Sequence, residues 1–234
     1  REDKEYAFTD GLDAAGWAWQ FLRRCPEYRA DHAWFSATWR ALEADYGAPP
    51  ARDFFRWKQD PRAWRPEAEL APCGADACPG ENDQVLIECW MGAKWGFRKF
   101  PIDPAIDRPE DLAWREQPIE ATPLDPGSPS LLSPGHVALS FDLGLPIEAQ
   151  LESARRELAL RRHALAKAGR LPALDIRQGA PTWRIWLRLV DGLDMGRSPG
   201  ELAGALQRAH IEQDIAAARA MCAGGYRRIL MLPG

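Results

Sequence analysis

Three sets of residues in this chain are of the types that carry chemistry: five cysteines, four histidines among scattered carboxylates, and arginines gathered near the end. Cys73 and Cys78 stand five apart, near Cys89 and with His32 distant. That is a poor match to structural zinc spacing, and the cysteines read as free thiols. The histidines fall on separate segments with no carboxylate or cysteine at motif spacing, and His163 reads as a helix-surface residue. Glu110 and Asp111 are adjacent acids of the kind common at helix starts. No G-x-S-x-G, Walker-type loop or G-x-G-x-x-G occurs, and Gly92 and Gly96 are isolated. No catalytic residue, metal ligand or cofactor-binding residue is therefore expected, and the chain does not read as an enzyme.

The arginines suggest different chemistry. Ala205, Ala209 and Ile215 match the small residue, turn residue and branched apolar residue of a helix-turn-helix, with alanine in the slot that usually holds glycine. A left-handed alanine there costs roughly 1–2 kcal/mol. On this reading residues 211–223 enter the major groove, where Gln213 and Arg219 are able to read base edges. Arg208 and His210 lie at the turn. Arg197 and the backbone of Ser198 face a phosphate at a helix start. Tyr226, Arg227 and Arg228 follow Gly224-Gly225 and reach the sugar-phosphate backbone. Against this stand Glu212 and Asp214, which repel phosphate, and an alanine-rich helix that suits a packing element equally well.

Eleven tryptophans raise a further possibility, a platform that stacks sugars or single-stranded bases. Trp17, Trp34, Trp39, Trp183 and Trp186 sit where helical spacing asks for core residues. Trp19 lies off that face and is the one interface candidate.

The elements that must position these groups follow from periodicity. Asp10 to Tyr46 reads as two helices separated at Pro26. Residues 51–83 read as irregular. QVLIECW (84–90) is a strand-type run with KWGFRKF (94–100) as its hairpin partner, 101–135 is rich in turn signals, and HVALSFDL (136–143) is a third strand. From Pro146 the pattern is helical. Leu151, Ala154, Leu158 and Leu165 stripe a first helix that closes near Gly169, and PTWRIWLRLVDGL (181–193) is amphipathic. SPGELAGALQRA (198–209) opens with a capping box, and a last helix over 211–223 stops at Gly224-Gly225.

The expected fold is α+β: N-terminal helices with a small antiparallel sheet over 1–145, then an all-helical helix-turn-helix domain over 146–234. Charge divides similarly. Residues 1–146 hold 16 Lys and Arg against 25 Asp and Glu, and residues 147–234 hold 14 against 9. An acidic first part joined to a basic last third points to an anionic partner for the basic end. No apolar run approaches the ~20 residues of a membrane-spanning helix, and the charged start carries no secretory pattern. The odd cysteine count fits a reducing cytoplasm.

Three stretches carry a resemblance. GWAWQFLRRCPEYRADH (16–32) resembles the signature of an N-terminal transcriptional-regulator-like domain of proteobacterial proteins, and WGFRKFPIDP (95–104) resembles a second segment of that domain. From the 151–168 helix through AGGYRRIL (223–230) the chain is similar to the RovC-type DNA-binding domain, whose hallmark is a terminal G-G-Y-R after a helix. The resemblance implies a cytoplasmic, cofactor-free, oligomeric activator of genes on integrative and conjugative elements or near secretion loci. It implies binding to double-stranded promoter DNA through the 211–223 helix with Tyr226, Arg227 and Arg228. Ala216, Ala217 and Ala218 stand where that family holds arginines, which weakens phosphate contact. The alternative is a protein-binding modulator, an antiactivator that keeps the fold without DNA binding and acts through a regulatory protein partner.

Overall fold

A computed structural model describes residues 5–70, 83–98, 100–116, 136–170 and 175–232. The fold is α+β, mostly helical with one two-stranded antiparallel sheet. Helix α1 (Ala14–Leu22) is capped by Asp13, whose carboxylate accepts from Gly16 N at 2.8 Å. Helix α2 (Pro26–Tyr46) begins with proline at its first position, where the missing N–H costs nothing, and stops at Gly47 with φ of 84°. The short α3 (Phe54–Trp57) leads to β1 (Trp64–Pro66), which pairs with β2 (Gln84–Leu86) in the register Trp64↔Leu86, Arg65↔Val85, Pro66↔Gln84. Then follow α4 (Ile87–Trp95), α5 (Ile147–Lys167), α6 (Ile176–Asp194), α7 (Pro199–Leu206), α8 (Ile211–Cys222) and a 3-10 helix over Gly225–Met231. No described helix is long and apolar enough to cross a membrane.

The sheet departs from the sequence expectation. Only Gln84–Leu86 of the 84–90 run is strand, and its partner is 64–66 in the stretch expected to be irregular. Residues 87–95 form a helix that is buried on nearly every side, from Ile87 through Ala93. A helix enclosed all round loses the 3.6-residue rhythm, and its apolar run cannot be told from a buried strand. Phe97 instead makes an isolated antiparallel bridge with Trp114, against which its ring stacks at 4.8 Å. Residues 136–143 form no strand and are largely exposed, lacking a sheet to join. Cys73, Cys78 and 117–135 lie outside the described residues.

The described residues fall into two compact units, one of 5–116 with 181–232 and one of 136–170 with 175–180. In the first unit α1 packs on the C-terminal 3-10 helix, and Trp17 meets Trp183 edge to face at 5.4 Å. Trp19, the expected interface aromatic, is fully buried, edge-on to Tyr28, and donates its indole N–H to Ile106 O at 2.9 Å. The reason is that α1 is covered on more than one face, so position on its apolar stripe does not decide burial. None of the eleven tryptophans is exposed. Several hold cations of the chain itself: Arg52, paired with Glu43 at 3.0 Å, lies 3.8 Å over Trp57 and 4.4 Å over Trp39. These rings are core, not a stacking platform.

Polar groups, from part-buried to exposed, tie the first unit together across a long sequence separation. Arg24 donates from Nε to Asp191 Oδ1 at 2.6 Å and from Nη2 to Oδ2 at 2.9 Å. Tyr6 donates its hydroxyl to the same carboxylate at 2.7 Å. Burial and that bond push the Tyr6 hydroxyl above the ordinary phenol range. Arg184 reaches Asp10 at 2.5 Å and Thr9 Oγ1 at 2.9 Å.

Close helix approach has its own requirement. A Cβ on Gly192 of α6 would lie 2.5 Å from Leu202 Cδ2 of α7, and Leu202 is buried. Gly192→Ala should therefore destabilise the fold by about 1–3 kcal/mol through overpacking, outweighing the gain of about 1 kcal/mol that alanine brings inside a helix. A urea midpoint equal to or above wild type would show that α7 can move aside.

Candidate nucleic-acid interface

Helices α6, α7 and α8 enclose a small core of Leu189, Leu202 and Ile215, with Ile185, Trp186, Leu193, Leu206 and Ile211 against it. Helix α7 starts as its sequence dictates. Ser198 Oγ accepts from Glu201 N, and Glu201 Oε2 accepts from Ser198 N at 2.7 Å, a complete capping box with Pro199 at the first position. Helix α7 stops at Gln207, whose φ of 50° and ψ of 47° are left-handed. The left-handed residue of the turn is thus Gln207 and not Ala209, because the helix ends two residues earlier than the motif spacing implies.

Helix α8 buries Ile215, Ala218 and Cys222, with Ile211 half-buried on the same edge. Its opposite edge exposes Gln213, Ala216 and Ala220, while Arg219, four residues after Ile215, is exposed beside the buried edge. Arg197, His210 and Arg228 are also exposed. Two other expected contacts are engaged internally. Arg208 donates to Asp214 Oδ2 at 2.8 Å and to Oδ1 at 3.2 Å, and Asp214 also accepts from Trp186 Nε1 at 3.3 Å. Asp214 is therefore not an exposed acid facing a ligand. It neutralises Arg208 and pins the turn to α8.

The C-terminal segment folds inward. Tyr226 is fully buried and donates its hydroxyl to Trp95 O at 2.8 Å. Arg227 donates to Lys94 O, with its guanidinium 5.4 Å from the Tyr226 ring. Gly224, at φ of 139°, makes the reversal that turns this segment back. Arg228 alone of the three projects outward. Sequence reasoning missed the structural roles of Asp214 and Gln207. The Arg208/Asp214 spacing of six residues spans a turn, so no helical pair rule flags it.

Hydrogen bonds from Arg208 hold the Asp214 carboxyl below the usual carboxylate range. A depressed folded value contributes stability that is present above the unfolded value of about 3.9 and lost as pH falls through the folded one. Thermal stability should fall on acidification below about pH 4, and Asp214→Asn should flatten that limb. An unchanged limb in the variant would show that the pair does not form.

Cys25, Cys89 and Cys222 are free and buried, and burial pushes the Cys222 thiol up to about 12. Among the described residues no group of three or more histidines, cysteines and acids could hold a metal ion. What this region presents is a capped helix pair with an outer edge of amide and alanine, flanked by arginine.

No curated protein and no solved structure matches the chain. Residues 1–57, which hold α1, α2 and α3, match the family model of the proteobacterial transcriptional regulator-like domain, and transcription regulation is the functional class that this match supports.

Proposed function

We propose that the chain is a transcriptional regulator that binds double-stranded promoter DNA through α7 and α8, with α8 in the major groove. The observation that carries this is the division of α8. One edge is committed to the three-helix core, while the other offers Gln213 beside Ala216 and Ala220, small enough to admit close approach to base edges and thymine methyl groups, with the exposed Arg219 flanking that edge. Arg197, His210 and Arg228, all exposed, serve as phosphate partners in this reading, and the N-terminus of α7 at Ser198 adds backbone N–H groups. Arg208 sets the turn through Asp214, and Tyr226 and Arg227 anchor the segment that carries Arg228. In this reading the protein is a cytoplasmic activator of mobile-element or secretion-type genes and acts as a homo-oligomer.

A second reading is a modulator that binds a protein partner. It is favoured by the internal use of Arg208 and Arg227, which leaves few free cations beside the exposed Glu212. Fluorescence anisotropy of the full chain against its own upstream duplex and a scrambled duplex, at two salt concentrations, separates the two. DNA binding with Arg197 and Arg228 on phosphates gives a log–log salt slope of about −2 per protomer. Arg228→Ala should lower that slope by about 1 without changing preference, and Gln213→Ala or Arg219→Ala should shift preference by about 1–3 kcal/mol. Absence of binding at low salt would leave the protein-partner reading.

A further inference from the structure

Helix α5 has no buried residue along its whole length. Yet Leu151, Leu158 and Leu165 recur every seven residues, with Ile147 and Ala154 in the alternate slots between them. That is the a/d pattern of a coiled-coil seam. Ile147, Leu151 and Leu158 are 40%, 48% and 44% exposed, and Leu143 and Leu145 just before the helix are 87% and 56% exposed. A run of large apolar side chains this open marks an interaction surface.

Charge along the helix says what covers it. Glu148 and Glu152 fall in the first two turns, Arg155, Arg156 and Glu157 at the centre, and Arg161, Arg162 and Lys167 near the end. An antiparallel second copy brings the acidic start of one helix to the basic end of the other and opposes the two helix dipoles. In the alignment that seats Leu158 against the second copy's Ala154, Ile147 meets Leu165 and Leu151 meets Arg161. The arginine stem packs there while its head reaches water, where Glu157 of the same helix already holds it at 2.5 Å. Glu148 then stands at a flanking position opposite Arg162, once at each end of the pair, with Arg155 facing its own copy between them. A parallel pair would instead stack Arg161 on Arg161 inside the seam.

We infer that α5 joins two copies of this chain as an antiparallel two-helix coiled coil through Ile147, Leu151, Leu158 and Leu165. This deepens the self-association in the proposed function and rests on it, and it is independent of DNA binding. The test is the mass of the full chain by sedimentation equilibrium over a concentration series without DNA. Wild type should reach at least twice the chain mass, and Leu158→Glu should lose one doubling. Leu160→Glu, on a side chain that is 69% exposed but off the seam, should not. Because α5 buries nothing, all variants should keep the wild-type circular dichroism. Glu148→Arg or Arg162→Glu alone should weaken the dimer roughly tenfold, and the two together should restore it. A single-chain mass for wild type at every concentration would overturn self-association itself. An assembly unchanged by Leu158→Glu would overturn the seam while leaving self-association standing. Charge swaps without effect would overturn the antiparallel direction.

Discussion

Arg24→Met should destabilise the protein by about 3–5 kcal/mol, because it strips the partner from a carboxylate that remains enclosed. The Arg24 side chain is 7% exposed and the Asp191 side chain 24%. Once the guanidinium is gone, Asp191 keeps the Tyr6 hydroxyl but loses both charge-assisted bonds. A domain of ordinary stability has only about 5–15 kcal/mol in total, so the urea midpoint should fall by a large fraction. The pair as a whole is a different matter. Its mutual attraction largely offsets the cost of taking two charges out of water, so a triple variant, Arg24→Met with Asp191→Leu and Tyr6→Phe, should recover most of the loss. A single variant that unfolds at the wild-type urea concentration would mean that water reaches the pair. A triple variant no better than the single would mean that the ion pair itself stabilises the fold.

That pair also explains why helices were easier to read than their arrangement. Pro26, the capping box of Ser198 and Glu201, and the apolar rhythm of 181–193 are local signals, written within a turn or two of where they act. Each of these elements formed near the expected place. The sheet was not legible, because 64–66 and 84–86 are three-residue strands whose only definition is each other. Helix α4 was lost for the opposite reason: enclosed on all sides, it has no polar face to mark its period. The outer edge of α8 was legible, since Gln213 falls opposite Ile215 by simple helical spacing, whereas Arg219, four residues after Ile215, flanks the buried face. What sequence could not supply was which cations have partners elsewhere. Arg208 and Arg227 look as free as Arg219 and Arg228 until Asp214 and Lys94 O are seen beside them. A motif gives the type of residue at a position, and only the fold gives its remaining valence.

Tyr226→Ala is the other substitution expected to cost about 3–5 kcal/mol, as a large ring is removed from a site with no exposure. The ring lies 5.6 Å from Trp114, and its hydroxyl holds Trp95 O, so one side chain ties the C-terminal 3-10 helix to the end of α4. Without it the 3-10 helix loses its anchor on the core while α8 keeps its own packing. Tyr226→Phe separates this structural role from a phosphate contact. It keeps the ring and removes only the donor, which should cost about 1–2 kcal/mol, and because that donor faces inward it should leave the affinity for duplex unchanged. A Phe variant of wild-type stability whose duplex affinity had dropped equally at both salt concentrations would place the hydroxyl on a phosphate. Arg228, carried on the same segment but pointing outward, should behave the opposite way, with stability kept and slope lost. The two side chains sit two residues apart, and the turn of the 3-10 helix between them is what assigns one to the core and the other to the ligand.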